Sequence, residues 1–345
     1  MNFKFEYFST FSIYNDDVVF EPITQSDFYG QYTLFGNDKI LIVCQEDSNT
    51  AGSLTFYLGT GDDVIEITNE SPTGSYINSL TASGDFGDDT LKGGAGDDRL
   101  TGGSGSDVLW GYAGSDVLKG DCSDNQVYFC NYTSADKIGS VDYLYGGAGD
   151  DIIIGGVGAD EVSGGTGSDI FIFEVAADYG DIISDFDPST DKIGIFSLDI
   201  ATKASTVNFS EFVSFEQVGD DTYVKVNETG EGNTWSAVAK LLDTQALSLS
   251  ENNFVGFQPI DKLSSSGWTK LDGTYATVGS FFDDAIALTA TELREAGGNN
   301  SKYLMSGNDE VSINYENSYN YVGSIYLGTG DDVIEITNET AGSYI

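Results

Sequence analysis

The sequence predicts an all-β fold in which a parallel β-roll is flanked by β-rich modules. A nine-residue repeat rich in Gly and Asp runs from Gly84 to Ile172, and the fourteen residues that begin at Tyr57 are spelled again from Tyr326. Elsewhere, short apolar or alternating runs are separated by Gly, Asn and Asp, which is the pattern of strands and turns. The stretch LTATELREAGG, Leu288–Gly298, is the one place where we expect a helix.

Each nonapeptide predicts a tight glycine turn followed by a strand of about three residues. Asp holds the sixth place, and an aliphatic or aromatic residue that we expect to point inward holds the eighth. Two nonapeptides complete a coil of 18 residues, so aspartates 18 positions apart should lie on one edge of the roll. The pairs are Asp89 with Asp107, Asp98 with Asp116, Asp142 with Asp160, and Asp151 with Asp169.

Asp142 belongs to a degenerate copy, KIGSVDYLY, which follows an insertion over about 120–136. We expect this insertion to break the phase of the aspartate rows. It contains Cys122 and Cys130, which lie eight positions apart in a polar segment and are either a local disulfide or two free thiols.

Stacked carboxylates repel each other unless a cation lies between them. Two of them about 4 Å apart repel by roughly 1 kcal/mol in water and about 4 kcal/mol at an effective dielectric of about 20. Ca²⁺ reverses this sign and accepts about 6–8 oxygens, which carboxylates and turn carbonyls supply. Mg²⁺ requires a tighter octahedron, and a chain without His or clustered Cys offers no softer ligands for zinc or copper. We therefore predict several calcium ions, with folding and metal binding as one event.

The predicted ligands are the sixth-place aspartates and the turn glycines of the repeats. They are Asp89, Asp98, Asp107, Asp116, Asp142, Asp151, Asp160, Asp169, Gly87, Gly94, Gly96, Gly103, Gly105, Gly147, Gly149, Gly156, Gly158, Gly165 and Gly167. The isolated copies of GTGDD add Asp63 and Asp332, whereas Asp38 and Asp309 stand in Asn-Asp turns, which often bind nothing.

A second, longer repeat organises the whole chain. FGNDKILIV at Phe35 is echoed by SGNDEVSIN at Ser306, and the duplicated stretch sets a unit of about 269 residues. We interpret the chain as a segment of a longer tandem array. The predicted modules are a β-rich head over 1–83, the roll over 84–197, a β-rich capping module over 198–258, and a linker with a partial second head over 259–345.

The run GGAGDDRLTGGSGSDVLWGYAGSDVLKG resembles the GGxGxDxUx repeats of RTX proteins, in particular the large repetitive adhesin or surface-layer type. DIFIFEVAADYGDIISDFDPSTDKIGIF resembles the segment that closes the roll in this family, which implies that Asp181, Asp185 and Asp191 help to form the last calcium sites. The β-rich stretch over 215–255 is similar to the tail that follows such rolls. The resemblance implies type I secretion, an unfolded chain in the calcium-poor cytosol, and calcium-driven folding outside the cell.

Composition excludes several functions. The net charge of −42 repels nucleic acid and anionic membranes. The absence of His excludes the HExxH zinc motif and His-dependent triads, and no run of about 20 apolar residues predicts a membrane span. We expect no enzymatic activity, although a glycosidase would need only two carboxylates, which this chain has in abundance.

A tandem array of calcium-stiffened modules favours a mechanical role, because each stacked unit adds length and an interface to its neighbour. We expect an extracellular or cell-surface structural protein that forms a surface layer, a filament or an adhesin stalk and associates with identical or neighbouring units. One alternative is an adhesin module that binds a glycan or another cell. Another is the calcium-folded export module of a secreted enzyme.

Overall fold

A computed structural model gives the chain an almost entirely β structure, and the predicted fold class, a parallel β-roll with β-rich flanks, is confirmed. The structure describes residues 17–20, 33–43, 52–68, 77–121, 140–174, 176–195, 208–230, 232–255, 269–270, 276–278, 285–289, 301–303, 310–315, 325–326 and 333–338. Within these ranges, no helix is long and apolar enough to cross a membrane.

Within the described ranges, sixteen strands form the solenoid, and they alternate between two parallel sheets. The strands are β1 (Asp17–Phe20), β2 (Thr33–Phe35), β3 (Lys39–Val43), β4 (Gly52–Thr60), β5 (Val64–Thr68), β6 (Ile77–Phe86), β7 (Thr90–Gly94), β8 (Arg99–Ser104), β9 (Val108–Ala113), β10 (Val117–Asp121), β11 (Tyr143–Ala148), β12 (Ile152–Ile154), β13 (Glu161–Thr166), β14 (Ile170–Phe173), β15 (Asp181–Ile183) and β16 (Lys192–Ile195). The odd-numbered strands make the first sheet and the even-numbered strands make the second. A 3-10 turn, Ala176–Asp178, precedes β15.

The core lies between the two sheets and is filled by the eighth residue of each nonapeptide. These inward residues are between 0% and 4% exposed: Leu91, Leu100, Leu109, Leu118, Leu144, Ile153, Val162 and Phe171. Full burial of one such side chain contributes about 1.5–3 kcal/mol. The inward orientation predicted from the nine-residue period is therefore confirmed.

Strands of the head and of the nonapeptide repeats share both sheets. In the first sheet β3 pairs with β5 and β5 pairs with β7, all parallel. The head differs in the length of its coils, because 25 residues separate Asp38 from Asp63 and 26 separate Asp63 from Asp89, against 18 in the regular repeats. One continuous solenoid therefore contains coils of two lengths.

The insertion before Asp142 does not interrupt the solenoid. Strand β9 pairs directly with β11, and β10 pairs directly with β12, with Leu109 opposite Leu144. The expectation that the insertion breaks the phase of the aspartate rows is wrong, because Asp142 Oδ1 still accepts from Asp107 N–H, 35 residues earlier, as in a regular coil. Cys122 and Cys130 lie outside the described residues.

A small module continues the first sheet beyond the last coil. It contains α1 (Phe209–Phe212), β17 (Val213–Val218), β18 (Asp221–Val226), β19 (Ser236–Leu241) and the 3-10 turns Ala246–Ser248 and Glu251–Asn253. Strand β19 pairs in parallel with β15, after which β18 and β17 follow antiparallel. Buried Phe212 and Phe254 of this module belong to the same apolar core as the roll, so the module covers the end of the coil stack.

The described strands of the second head form two small sheets. They are β20 (Thr269–Lys270), β21 (Ala276–Val278), β22 (Ala285–Thr289), β23 (Ser301–Tyr303), β24 (Glu310–Tyr315), β25 (Ile325–Tyr326) and β26 (Val333–Asn338). Glu310 of β24 is the register partner of Val333 in β26, just as Lys39 of β3 is the partner of Val64 in β5. The helix expected at Leu288–Gly298 does not begin at Leu288, because Leu288 and Thr289 are part of β22, and the rest lies outside the described residues.

Candidate metal centre

The repeated geometry of the turns places the sixth-place aspartates, together with Asp38, Asp63, Asp181 and Asp191, in two rows, one on each edge of the roll. The first ladder contains Asp38, Asp63, Asp89, Asp107, Asp142, Asp160 and Asp181, and the second contains Asp98, Asp116, Asp151, Asp169 and Asp191. Within a ladder, Oδ1 of each aspartate after the first accepts a hydrogen bond of 2.7 to 3.1 Å from the backbone N–H of the member one coil earlier. The four pairs predicted from the 18-residue spacing all lie in these ladders.

The second carboxylate oxygen is buried and accepts no hydrogen bond from the protein in much of both ladders. Among the described residues, this holds for Oδ2 of Asp63, Asp89, Asp107, Asp116, Asp142, Asp151, Asp160 and Asp169. Each of these side chains is at most 1% exposed. Burial of an ionised carboxylate oxygen without a partner is strongly unfavourable, so these positions favour either a proton or a cation.

The glycine in the first place of the nonapeptide forms a cradle for this oxygen. A Cβ at Gly84 would overlap both Asp89 Oδ2, five residues later, and the carbonyl oxygen of Gly102 in the next coil. The same three-part arrangement joins Gly93, Asp98 Oδ2 and the Gly111 carbonyl. Three more cradles have the same parts, in the order Cβ position, carboxylate oxygen and carbonyl of the next coil: Gly111, Asp116 Oδ2 and Gly146; Gly120, Asp142 Oδ2 and Gly155; Gly146, Asp151 Oδ2 and Gly164. Each cradle therefore brings a carboxylate oxygen and a main-chain carbonyl oxygen to one point.

These first-place glycines were missed by the sequence analysis, which selected the glycines of the second and fourth places. The missed signal was the distance of five residues from the first-place glycine to its aspartate, which every copy without the insertion keeps. The selected glycines have another role on the backbone, where several adopt positive φ, for example Gly87 at 130° and Gly105 at 125°. Their carbonyls stack coil on coil, because a Cβ at Gly105 would overlap the Gly87 carbonyl oxygen.

The last coil brings two carboxylates together. The point where a Cβ of Gly155 would lie is 2.6 Å from Asp160 Oδ2 and 2.7 Å from Asp181 Oδ2. Asp181 thus ends the first ladder. Asp191 ends the second, where its Oδ1 accepts from Asp169 N–H at 3.1 Å and its Oδ2 from Asp187 N–H at 2.8 Å.

The remaining predicted aspartates lie elsewhere. Asp185 is exposed on the outer side of the first sheet, where its carboxylate accepts hydrogen bonds from Ser163 Oγ at 2.6 Å and from the N–H groups of Gly164 and Gly165 at 3.0 and 2.9 Å. Gly164 also forms the cradle of Asp169 Oδ2, and the Asp185 charge helps to raise the pKa of Asp169, so Asp185 lies beside the second ladder. Its part in the last calcium sites stays a prediction. Asp332 and Asp309 lie outside the described residues.

An outer row of aspartates in the fifth place reinforces the turns. Asp88 is exposed, and its Oδ1 accepts a 2.9 Å hydrogen bond from Ser106 N–H in the next coil. Asp97 and Asp150 bind the N–H groups of Ser115 and Ser168 in the same way. These contacts pair a GDD turn with the GSD turn above it, and they leave the fifth-place carboxylates in contact with solvent.

Burial dominates the electrostatics of the ladders. Desolvation raises the pKa of ladder aspartates such as Asp107, Asp89 and Asp151, neighbouring ladder carboxylates raise it further, and the accepted backbone N–H lowers it in part. The raised pKa values are about 9 for Asp107, Asp116 and Asp181, about 8 for Asp89 and Asp142, about 7 for Asp63 and Asp151, and about 6 for Asp160 and Asp169. Without a cation, the ladders therefore favour protonated carboxyls.

The donor set fits calcium. In the described part of the chain, no three acidic, His or Cys side chains converge as a cluster, so side chains alone do not make the sites. The cradles instead combine carboxylate oxygens with main-chain carbonyl oxygens, which are the hard ligands that Ca²⁺ accepts in flexible numbers. Neighbouring cradles on one edge follow each other at the spacing of parallel strands, about 4.8 Å.

Comparison with known proteins agrees with this donor set. Residues 83–118 and 139–171 match the RTX calcium-binding nonapeptide repeat family, whose description covers four copies. No match was found among curated proteins. Among solved structures, the chain is similar to the AlgE6R2 subunit of the mannuronan C5-epimerase of Azotobacter vinelandii, with 24% identity, a TM-score of 0.31, and coverage of 53% of this chain and 95% of that one. For the AlgE6R3 subunit of the same enzyme the values are 28%, 0.30, 52% and 82%.

Proposed function

We propose that this chain, in which residues 83–118 and 139–171 are RTX calcium-binding nonapeptide repeats, is a segment of a calcium-dependent extracellular structural protein. It folds on binding several Ca²⁺ ions after secretion. It belongs to a tandem array whose units associate to form a surface layer, a filament or an adhesin stalk. No catalytic reaction is part of this function.

The observation that carries the proposal is the row of buried Oδ2 atoms on each edge of the roll. A ladder that is ionised and metal-free places like charges one coil apart in a poorly hydrated environment, which opposes folding. Calcium in the cradles converts this repulsion into attraction between successive coils. A secreted chain would therefore stay unfolded at low cytosolic calcium and fold in a calcium-rich exterior.

Each ion is held by Oδ2 of a ladder aspartate and by the carbonyl of the first-place glycine in the next coil, as at Asp89 and Gly102. Carbonyls of the second-place and fourth-place glycines complete the oxygen set. Asp63 extends the first ladder into the head, and Asp332 occupies the equivalent place in the second head. Asp181 and Asp191 supply the last sites of the two ladders.

The array is supported by the second head. Its described strands β22, β24 and β26 repeat the order of β1, β3 and β5, and the identical stretch that contains Asp63 returns with Asp332. Because each unit begins with the same strand register, each can pair with the next unit through the same surface. Such units stack into an elongated body whose length grows with their number.

Circular dichroism tests the calcium-dependent fold. At neutral pH, the metal-free chain should lack the β-type signal of residues 84–197 and should gain it when Ca²⁺, but not an equal concentration of Mg²⁺, is added. A full β-type signal in excess chelator would contradict the proposal. For the array, negative-stain images of the intact protein in calcium should show fibres or a lattice, and separate globular particles would limit the function to the folded module.

A further inference from the structure

Aromatic side chains form a patch on the outer face of the first sheet. Trp110 of β9 and Tyr145 of β11 are register partners whose ring centroids lie 4.0 Å apart with 20° between the ring planes. Tyr112 is 48% exposed, and its ring lies 5.9 Å from that of Trp110 at 21°. The core needs none of these rings, because buried Leu109 and Leu144 fill the inner side of the same strands.

The stack is closed on one side and open on the other. Beside Trp110, in register, lies Lys92, whose Nζ is in an ion pair with Glu66 at 3.2 Å. Beside Tyr145, in register, lies Ser163, a short residue. One face of the Tyr145 ring is covered by Trp110, so its other face stands above the Ser163 side of the sheet.

A polar floor lies next to this open ring face. Ser163 Oγ donates to Asp185 Oδ2 at 2.6 Å, and the N–H groups of Gly164 and Gly165 donate to the same carboxylate. These three bonds orient Asp185 while its side chain remains exposed to solvent. The open face of Tyr145, the hydroxyl of Ser163 and the oriented carboxylate of Asp185 together form a step on the outer face of the first sheet. The step combines an aromatic wall with a short hydroxyl and a carboxylate acceptor.

We infer that this step binds a neutral polysaccharide, with one pyranose ring stacked on Tyr145 above Ser163. A pyranose has an apolar C–H face that packs on an aromatic ring and a rim of hydroxyls that donate to a carboxylate such as Asp185. The ring would take the next place in the Trp110–Tyr145 stack, which follows the strand spacing of about 4.8 Å. This activity goes beyond the structural function proposed above.

Charge selects a neutral ligand. The chain carries a net charge of −42, and exposed Glu161 and Asp185 lie beside the step, so uronate polymers and nucleic acids are repelled. A second copy of the same chain carries the same charge, which opposes face-to-face association through this patch. A neutral sugar avoids that repulsion and still uses the acceptor.

Affinity electrophoresis of the full chain in calcium tests the assignment, with dextran, galactomannan and hydroxyethylcellulose as neutral probes and polygalacturonate as the anionic probe. At least one neutral polymer should retard the chain, and polygalacturonate should not. Tyr145→Ala removes the wall and should weaken retardation about tenfold. Ser163→Phe fills the place of the sugar and should abolish retardation although it adds an aromatic ring.

Two control variants make the same kinds of substitution on other strands. Tyr223→Ala removes a half-buried tyrosine of β18, and Thr101→Phe adds a ring to the outer side of β8 in the second sheet. Both should bind like the native chain, and circular dichroism in calcium shows whether every variant is folded. The inference is overturned if folded native chain binds no neutral polymer, if Tyr145→Ala binds normally, or if polygalacturonate binds in place of the neutral probes.

Discussion

Asp107 Oδ1 accepts a hydrogen bond of 2.8 Å from the backbone N–H of Asp89, one coil earlier, while Oδ2 of the same carboxylate is buried and accepts none. The two oxygens therefore have separate tasks. One fixes the register between coils, and the other is available to a cation. Substitutions that alter one oxygen and keep the other can separate calcium binding from the packing of the solenoid.

Asp107→Asn removes the charge of a ladder carboxylate and retains a carbonyl oxygen that can accept from Asp89 N–H. Because calcium then loses a charged ligand but the register bond survives, the calcium midpoint of folding should rise about tenfold, which corresponds to about 1.4 kcal/mol. Calcium titrations followed by circular dichroism measure the midpoint.

The control for this change is Asp88→Asn, on the neighbouring residue. Asp88 lies in the exposed fifth place, outside the cradles, and its Oδ1 accepts a hydrogen bond from Ser106 N–H. Its calcium midpoint should stay within about twofold of the native value. Equal shifts for both variants would mean that total charge, and not the ladder position, sets the calcium requirement.

Gly102→Ala tests the cradle. A Cβ at Gly102 would overlap the side chain of Asp107, including Oδ2, so the carboxylate must move away from the proposed ion position. We expect a loss of about 2 kcal/mol or more in the free energy of unfolding in calcium, measured by urea titration. In Gly219→Ala, the Cβ meets nothing within 4 Å, and the positive φ of 68° alone should cost about 1 kcal/mol or less. A larger loss of stability for Gly219→Ala than for Gly102→Ala would contradict the cradle.

The sequence predicts the inward residues and the aspartate rows because both follow from a local period. Leu109 and Asp107 are two residues apart, and every regular coil repeats that relation at 18 positions. The first-place glycines were missed for a different reason. Their role appears only when a glycine is seen against the aspartate of its own turn and the carbonyl of the next coil, as at Gly84, Asp89 and Gly102.

Strand pairings between distant segments could not be predicted from the local repeat either. Strand β19 joins β15 with Asp181 opposite Ala239, and no repeat relates these segments. The long coils of the head likewise hide the ladder, because 25 or 26 residues separate Asp38, Asp63 and Asp89. A sequence count at 18 positions does not connect them, whereas the hydrogen bonds between coils do.

Protonation should stabilise the metal-free roll at low pH. Burial raises the pKa of Asp107 to about 9 and that of Asp89 to about 8, whereas an unfolded aspartate titrates near 3.9. The stability due to these protons is fully present below about pH 4 and is lost as the pH rises from there to the folded pKa, about 8 for Asp89 and about 9 for Asp107, by about 1.4 kcal/mol per pH unit for each group. Dialysed, calcium-free chain should therefore show more β-type signal at pH 5 than at pH 8.

Urea titrations of the calcium-free chain at a series of pH values measure this effect. Added calcium should restore stability at pH 8, where protons compete with calcium for the ladder carboxyls less than at pH 5. A calcium-free stability that rises from pH 5 to pH 8 would have the wrong sign and would contradict the burial of ionisable ladder carboxyls.

The insertion replaces a single residue of one turn. Asp121 is the register partner of Gly103 and so occupies the second place of its nonapeptide. Ser140 occupies the fourth place, because a Cβ at Gly158 would overlap its carbonyl oxygen just as a Cβ at Gly105 would overlap that of Gly87. Residues 122–139 therefore stand where a regular turn has one third-place residue.

Deletion of residues 122–138 should leave a regular solenoid. It retains Gly139 as the third-place residue and shortens the separation of Asp107 and Asp142 from 35 residues to the 18 of a regular coil. Because β9 and β11 already pair as neighbours, the calcium midpoint should stay within about twofold of the native value, and stability should not fall, since the cost of closing a long loop is removed. Deletion of residues 122–139 removes one residue more, so that Asp121 would be joined directly to Ser140 and the turn would be too short for Asp142 to reach Asp107 N–H. That variant should need about tenfold more calcium to fold, and equal behaviour of the two deletions in calcium titrations would show that the ladder does not pass through Asp142.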